Sequence, residues 1–212
     1  MNLSESARAH PEADAIDARV VLARTRAWVA RAVVGLNLCP FAKAPLVKDQ
    51  IRFVVCDATD PQALLDALRR EMHDLARADP ARHETTLLIH PRVLEDFLDF
   101  NDFLDRADAA LEEVGCAGVL QVASFHPDYR FAGTEPDEPG NATNRSPYPT
   151  LHLLREDSVE RAVAAFGETD AIVDANIRTL EALGAQGWSD LQARCREDAN
   201  ASIGRPLVAE PR

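Results

Sequence analysis

The sequence predicts a single α/β domain: a mixed sheet of about four strands with helices packed on it. Short apolar runs of strand length alternate with longer runs in which apolar residues recur at helical spacing. The order is helix, strand–helix–strand–helix–strand, long loop, strand, helix, helix. This alternation is typical of an α/β domain and predicts that the first three strands are parallel, joined by right-handed crossovers. A length of 212 residues suits one domain.

The first helix is predicted from Asp17 to Val34, with Gly35 as its terminator. A second helix begins at Pro61, after the capping residue Asp60, and is defined by an apolar stripe of Leu64, Leu65, Leu68, Met72 and Leu75. A third, long helix with an acidic outer face is predicted from the spacing of Leu94, Phe97, Leu98, Leu104 and Leu111. Two helices follow the last strand, one through Phe166 and one from Asp170 to Gly184, and a weaker helix covers Trp188 to Cys195.

Four strands are predicted between these helices, at Ile51–Cys56, Thr85–His90, Val119–Phe125 and Thr150–Leu154. Residues 1–15 are polar and are predicted to form a disordered tail, and residues 199–212 a loose one. The domain therefore spans residues 16–198.

Composition excludes several function classes. The net charge is −12, and no local basic face is evident, which argues against nucleic-acid binding. No run approaches the roughly 18 apolar residues of a membrane span, and the first residues do not resemble a signal peptide. Four cysteines without C-x-x-C spacing then favour reduced thiols and a cytoplasmic location.

A long polar loop at residues 125–149 is the strongest functional signal. Loops longer than about 12–15 residues are uncommon in compact domains and are usually functional or disordered. This one contains Phe125, Tyr129, Phe131 and Tyr148 together with several prolines, a composition that favours an ordered functional loop over a floppy insert. Its middle, residues 134–140, could still act as a mobile lid.

Several side chains in and near this loop suit the binding of a small polar or anionic molecule. Arg145, and with it Arg130 or Arg155, would bind a negative charge; the alternative for the loop arginines is an internal salt bridge to Glu135, Asp137 or Glu138. Further candidates for positioning a substrate are Asn37, Tyr129, Asn144, Ser146 and Tyr148.

His126 follows the third strand and is the candidate general acid or base, because an imidazole titrates near neutral pH. Cys39 is a candidate nucleophile or metal ligand, although a position just past a helix C-terminus disfavours a thiolate. A metal site formed by Cys39, His126 and His152 is a weaker alternative, since their spacing does not require one. The sequence contains no dinucleotide, P-loop or hydrolase motif and identifies no cofactor.

Three segments, GLNLCPFA, FHPDYRFAG and NRSPYPTLHLLRE, resemble a family of bacterial proteins classed as a domain of unknown function. The resemblance covers most of the chain, from about Asp17 to Trp188. It implies no activity or cofactor. It implies that the family is recognised by a set of motif residues: Asn37, Cys39, Pro40, His126, Tyr129, Asn144, Arg145, Ser146, Tyr148, His152 and Arg155.

These observations favour an enzyme that acts on a small polar or anionic molecule, in a pocket formed by loops 36–45 and 125–149 at the carboxyl edge of the sheet. Two alternatives remain open. One is a non-catalytic module that binds a small ligand or a protein, and the other is the metalloprotein. Neither a nucleic acid nor a membrane is expected as a partner.

Overall fold

The computed structural model of the chain describes residues 16–166 and 169–203. Within them lie six α-helices: α1 (Ala18–Trp28), α2 (Lys43–Val47), α3 (Pro61–Arg77), α4 (Phe97–Glu113), α5 (Glu156–Phe166) and α6 (Thr169–Ile203). The four strands are β1 (Ile51–Val55), β2 (Thr85–Ile89), β3 (Leu120–Phe125) and β4 (Thr150–Arg155). The tail predicted at residues 1–15 lies outside the described residues. Of the tail predicted at residues 199–212, residues 199–203 form the end of α6, and the rest lie outside the described residues.

The strands form one mixed sheet in the order β1-β2-β4-β3. β1 pairs with β2 in parallel, whereas β4 is antiparallel to both β2 and β3. The first three strands therefore run in one direction, but only β1 and β2 form a parallel pair. The prediction that the first three strands are parallel therefore holds for their direction, but β3 has no parallel neighbour, because β4 lies between β2 and β3.

One face of the sheet packs against α3 and α4. Inward-facing strand residues such as Leu88, Leu151 and Leu153 meet the apolar stripe of α3 and the buried side of α4 in the larger hydrophobic core. Strand residues alternate between the two faces, as the pleat requires. This core includes the whole predicted stripe of α3, whose N-cap Asp60 accepts hydrogen bonds from two backbone N–H groups of its first turn.

The opposite face packs against α1 and the second half of α6. Ile51, Leu87 and Ile89 from the strands contact Trp28 and Leu191 in the second hydrophobic core. Trp28 also lies edge-on to Phe125, with ring centroids 5.3 Å apart.

The first helix widens at its end into a π-helical segment, Val29–Val34. The left-handed residue that follows is Asn37, with φ 55°, and not the predicted terminator Gly35, whose φ is −65°. Glycine is needed at position 35 for space, because a Cβ there would collide with the Arg31 carbonyl oxygen. Segments of π-helix are rare and occur frequently at functional sites.

The predicted buried side of α4 is largely confirmed, since Leu111 is in the core and Leu94, Phe97 and Leu104 pack against it, but Leu98 does not belong to it. Phe100, Phe103, Ala107, Ala110 and Leu111 face the core, while Leu98 is 61% exposed. Leu94 precedes the helix in a left-handed conformation with φ 58°. The helix begins after the N-cap Asp96, which accepts from the backbone N–H groups of Leu98 and Asp99, so the capping side chain sets its start and leaves Leu94 outside.

Helix α6 consists of two helical halves that meet at Gly184, where φ is 66° and ψ is 173°. The first half packs on the long loop: Leu180 contacts Leu38 and Ala142, and Asn176 donates a hydrogen bond to the Leu38 carbonyl. The second half packs along α1. Gly184 thus lets one continuous segment contact two separate parts of the domain.

We expect Phe100→Ala to lower the free energy of unfolding by about 3–5 kcal/mol, because it leaves a cavity where a fully buried ring packs between His90 and His126. Urea unfolding monitored by circular dichroism measures this change. Leu98→Ala on the same helix is the control, and its effect should stay below about 0.5 kcal/mol. Equal effects of the two substitutions would contradict this assignment of the buried face.

Candidate functional site

The two ends of the long loop are held side by side by the sheet. Phe125, the last residue of β3, pairs with Thr150, the first residue of β4. Just beyond that pair, the backbone N–H of His126 donates to the Asn144 carbonyl, and the Ser146 N–H donates to the His126 carbonyl. The loop therefore closes on itself at the sheet edge.

Asn141 organises the interior of the loop. It is fully buried in a short 3₁₀ helix, Pro139–Asn144. Its Oδ1 accepts from the Phe131 N–H at 3.0 Å, and its Nδ2 donates to the Glu135 carbonyl at 2.8 Å. The Thr134 hydroxyl lies 2.8 Å both from Asn141 Oδ1 and from the Phe131 carbonyl, and shares its one proton between them. Both polar atoms of its side chain are thus paired within the loop, so the geometry of the loop depends on a residue that carries no obvious chemistry.

The contacts of Arg145 match neither the predicted anion site nor the alternative, a salt bridge to an acidic residue of the loop. Its Nε donates to the Tyr129 carbonyl at 3.3 Å and its Nη2 to the Pro136 carbonyl at 2.6 Å. It forms no salt bridge with the described residues. The guanidinium is thus fixed by main-chain carbonyls, which leave its positive charge without a carboxylate counter-ion.

His126 is fully buried, with both ring nitrogens bonded to the main chain. Its Nδ1 accepts the Asp128 N–H at 3.0 Å, so the proton resides on Nε2, which donates to the Leu94 carbonyl at 3.3 Å. Desolvation lowers the pKa of His126. The ring packs against Phe97 and Phe100 of α4. Main-chain groups thus engage both ring nitrogens of His126, and Nε2 connects the residue to the left-handed turn at Leu94.

Most of the face covered by α1 is occupied by core, but part of it encloses a cavity of about 780 Å³, here called the sheet-face cavity. Its floor is formed by strand residues that include Leu87, Ala123, Phe125 and His152. Its walls come from α1, the π-helical segment, the segment from Cys39 to Pro45, and α5. Most of the lining is apolar. The apolar wall residues are Trp28, Val29, Val33, Cys39, Pro40, Phe41, Ala42, Ala44, Pro45, Leu154, Val159 and Ala162.

His152 presents a hydrogen-bond acceptor to this cavity. The Thr85 hydroxyl donates its one proton to the Leu153 carbonyl at 2.5 Å. The contact of 2.7 Å between Thr85 Oγ1 and His152 Nε2 therefore requires the imidazole to donate through Nε2–H. Nδ1 is left as an unprotonated nitrogen that forms no hydrogen bond with the described residues and is not among their buried unpaired atoms. Burial lowers the pKa of His152 to about 4, so the ring is neutral at physiological pH.

Cys39 lines the same cavity as His152. Desolvation raises the pKa of its thiol, although the backbone N–H groups of Phe41 and Ala42 oppose that shift. The thiol is therefore protonated at neutral pH, in the direction expected from its position beyond a helix C-terminus.

Of the remaining sequence candidates, Arg155 has long-range contacts, whereas Asn37 and Arg130 lie at the surface. Arg155 reaches the end of α3, where its Nη2 lies 2.7 Å from the Leu75 carbonyl and 2.9 Å from the Ala78 carbonyl. Asn37 is exposed and supplies a left-handed turn. Arg130 is exposed at the loop surface.

Four others take part in loop structure. Asn144 donates to the Ser124 carbonyl at 3.1 Å, and the Ser146 hydroxyl donates to the Tyr148 carbonyl at 2.7 Å. Tyr129 packs on Phe97. The Tyr148 hydroxyl accepts from Arg24 Nη1 at 3.3 Å, which connects the loop to α1.

A second, smaller hollow of about 220 Å³ lies where the loop meets α1 and the second half of α6. We call it the arginine cleft, and its lining is Arg24, Trp28, Ala32, Pro127, Arg145, Ser146, Pro147, Trp188, Leu191, Gln192, Cys195 and Arg196. The candidates that the sequence assigned to one pocket are thus divided. Cys39, His152 and Arg155 line the sheet-face cavity, whereas Arg145 and Ser146 line the arginine cleft.

No group of three His, Cys, Asp or Glu side chains in the described part of the chain is arranged to hold a metal ion. In particular, Cys39, His126 and His152 do not converge. His126 packs on the α4 side of the sheet, while His152 lies on the face that carries the cavity.

Sequence reasoning missed Thr85, Arg24 and Arg196. Thr85 belongs to no sequence motif, because its contact with His152 depends only on the register in which β2 pairs with β4. Arg24 did leave a signal: it lies three residues after Val21 and four before Trp28, and so falls on the buried side of the first helix. An arginine on an apolar stripe indicates either an internal partner or a ligand.

Residues 20–190 match the family described as "Protein of unknown function (DUF1415)". The match spans most of the chain, and the chain therefore belongs to this family. The comparison with curated proteins found no significant match, and neither did the comparison with solved structures. None of the helices in the described ranges is long and apolar enough to cross a membrane.

The lowered pKa of His152 predicts a loss of stability in mild acid. The unfolded chain binds a proton at its histidine near pH 6.5, whereas the folded chain resists protonation until about pH 4. The free energy of unfolding should therefore fall as pH decreases from 6.5 to 4, by about 1.4 kcal/mol per pH unit from this residue. His152→Gln should remove that contribution from the slope measured by urea unfolding at several pH values.

Fully buried His90, whose pKa is also lowered to about 4, keeps its own contribution in the variant, so the slope should decrease without vanishing. His73→Gln, at an exposed position on α3, is the control and should leave the slope unchanged. An unchanged slope in His152→Gln would show that His152 titrates normally in the folded protein.

Proposed function

We propose that this DUF1415 protein binds a small molecule with a largely apolar body and a hydrogen-bond donor, in the sheet-face cavity. The observation that carries the proposal is the unpaired acceptor His152 Nδ1 on the floor of a cavity whose lining is mostly apolar. The other polar residues of the lining are Lys48, Gln50, Glu84, Thr85, Gln121, Arg155, Ser158 and Arg161. Sites for small molecules commonly combine a mostly apolar lining with a few well-placed polar groups.

Size supports a ligand of ordinary metabolite dimensions. The cavity of about 780 Å³ falls within the range of roughly 300–1,000 Å³ that is usual for ligand pockets. Apolar side chains of the lining, such as Phe125 and Val159, would pack against the body of a ligand.

The hydrogen bond between Thr85 and His152 would fix the orientation of a ligand in the cavity. Because Thr85 holds Nε2–H, the ring cannot turn Nδ1 away without breaking a hydrogen bond of 2.7 Å. A ligand O–H or N–H directed at Nδ1 would pair an acceptor that the protein leaves free, and a ligand with only acceptors there would be disfavoured.

Binding is better supported than catalysis. Cys39 and His152 are the candidate reactive side chains that the sequence predicted and that line the cavity, and burial holds both in their neutral forms. A protonated thiol is a weak nucleophile, and an imidazole of low pKa is a weak base. The enzymatic hypothesis from the sequence relied on His126, whose nitrogens are engaged by the main chain. The segment 36–45 forms a wall of the proposed site, whereas the long loop contributes Phe125 at its start.

A pair of isomeric probes tests the proposal. 1-Octanol and methyl heptyl ether have the same composition, but only the alcohol donates a hydrogen bond. Isothermal titration calorimetry should show saturable binding of both, with the alcohol preferred by about fivefold, as one neutral hydrogen bond provides. In His152→Phe that preference should vanish while the ether still binds.

Ala123→Leu places a larger side chain on the cavity floor beside His152 and should weaken both probes. Ala109→Leu makes the same change on the exposed side of α4 and serves as the control, with no expected effect. Absence of saturable binding to the wild-type protein, or equal weakening by the two leucine variants, would reject the sheet-face cavity as a ligand site.

A further inference from the structure

We infer that the arginine cleft is a second binding site, specific for the oxyanion group, phosphate or carboxylate, of a small organic molecule. Arg24, Arg145 and Arg196 would contact the anion. The inference does not depend on the sheet-face cavity: apart from Trp28, the residues that form the two hollows are different.

The first argument is charge. The chain carries 35 acidic and 23 basic residues, so arginines have many potential partners. Nevertheless no Asp or Glu lines the cleft, and none of its three arginines forms a salt bridge with the described residues. On the same two helical segments, Arg31 does pair with Asp198. The absence of counter-ions is therefore local to the cleft, and three like charges around one small hollow favour an anion.

The second argument is hydrogen bonding. Arg24 uses Nη1 to donate to the Tyr148 hydroxyl, but its Nε is buried and has no partner among the described residues. A buried N–H without an acceptor is unfavourable, and such groups are rare in folded proteins. An oxyanion in the cleft would supply that acceptor, with the added strength of a charge-assisted bond.

The third argument is preorganisation. Arg145 is already fixed by the Tyr129 and Pro136 carbonyls, so binding an anion would require little further ordering of its side chain. Arg196 is exposed on α6 and forms no hydrogen bond with the described residues, which leaves its donors free to close over the cleft. Planar guanidinium groups match the paired oxygens of carboxylate and phosphate.

The cleft also contains apolar surface, from Trp28 and Trp188. Aromatic walls beside an anion site suit an organic body attached to the oxyanion better than a free inorganic ion. They also provide the measurement, because these two side chains are the only tryptophans of the chain.

Tryptophan fluorescence of the full chain should be titrated with sodium phosphate and sodium acetate, up to about 50 mM and with sodium chloride at matched ionic strength as the reference. The expected result is a saturable change with phosphate, acetate or both, and none with chloride. The tighter of the two oxyanions identifies the class of ligand. A response that does not saturate, or one equal to that of chloride, would overturn the inference.

Arg196→Gln is the decisive variant, since removing an exposed side chain without internal hydrogen bonds should leave the fold intact. We expect it to weaken oxyanion binding about tenfold, the effect of losing one charge-assisted hydrogen bond. Arg194→Gln makes the same change two residues away, at an exposed position that does not line the cleft. It should bind like the wild type. Equal weakening in both variants would indicate only non-specific attraction and would contradict the site.

Discussion

The insertion of β4 between β2 and β3 is the constraint on which the rest of the structure depends. β3 leaves the sheet at Phe125, and β4 returns opposite it at Thr150, so the chain must make an excursion and come back to the same point. Both ends of the long loop are thereby fixed relative to each other by ladder hydrogen bonds. The hydrogen bonds of Asn141 and Arg145 then complete a compact loop, which presents Arg145 and Ser146 to α1 and α6.

The same insertion separates the histidines. His126 follows β3 and turns toward α4, where aromatic rings and main-chain groups enclose it. His152 lies within β4, between Leu87 and Ala123 on the face that carries the cavity. Burial lowers the pKa of both, but only His152 keeps a nitrogen free to interact with a ligand. Neighbouring positions in a sheet can thus place one residue type in two different surroundings.

Much of the fold was predictable because its signals are local. Periodicity located the strands within a residue or two, and the stripe from Leu64 to Leu75 identified the buried side of α3. On α4 the predicted Phe97, Leu104 and Leu111 do face the core, but the cap at Asp96 starts the helix after Leu94, and tertiary packing buries Phe100 and Phe103 in place of Leu98. Strand order also escaped prediction, since no local pattern specifies which neighbour a strand pairs with.

For the candidate site, sequence identified residues that matter but not how they are grouped. Cys39 and Arg145 were assigned to one pocket because loops 36–45 and 125–149 were both expected at the carboxyl edge of the sheet. In the fold they line different hollows, on either side of Trp28. The tautomer of His152 depends on Thr85, which is distant in sequence and joined to it only through the pairing of β2 with β4. Such pairings are properties of topology rather than of motifs.

The backbone at Gly184 has a consequence for chirality. A φ of 66° with a ψ of 173° is close to the mirror image of the extended, polyproline-like conformation that L-residues adopt readily. A Cβ at this position would meet no atom within 4 Å. Handedness, and not space, therefore restricts the residue: a D-alanine would fit there without strain, whereas L-alanine would adopt a conformation essentially reserved for glycine. Among the genetically encoded amino acids, only the achiral one lets α6 contact the long loop with one half and α1 with the other.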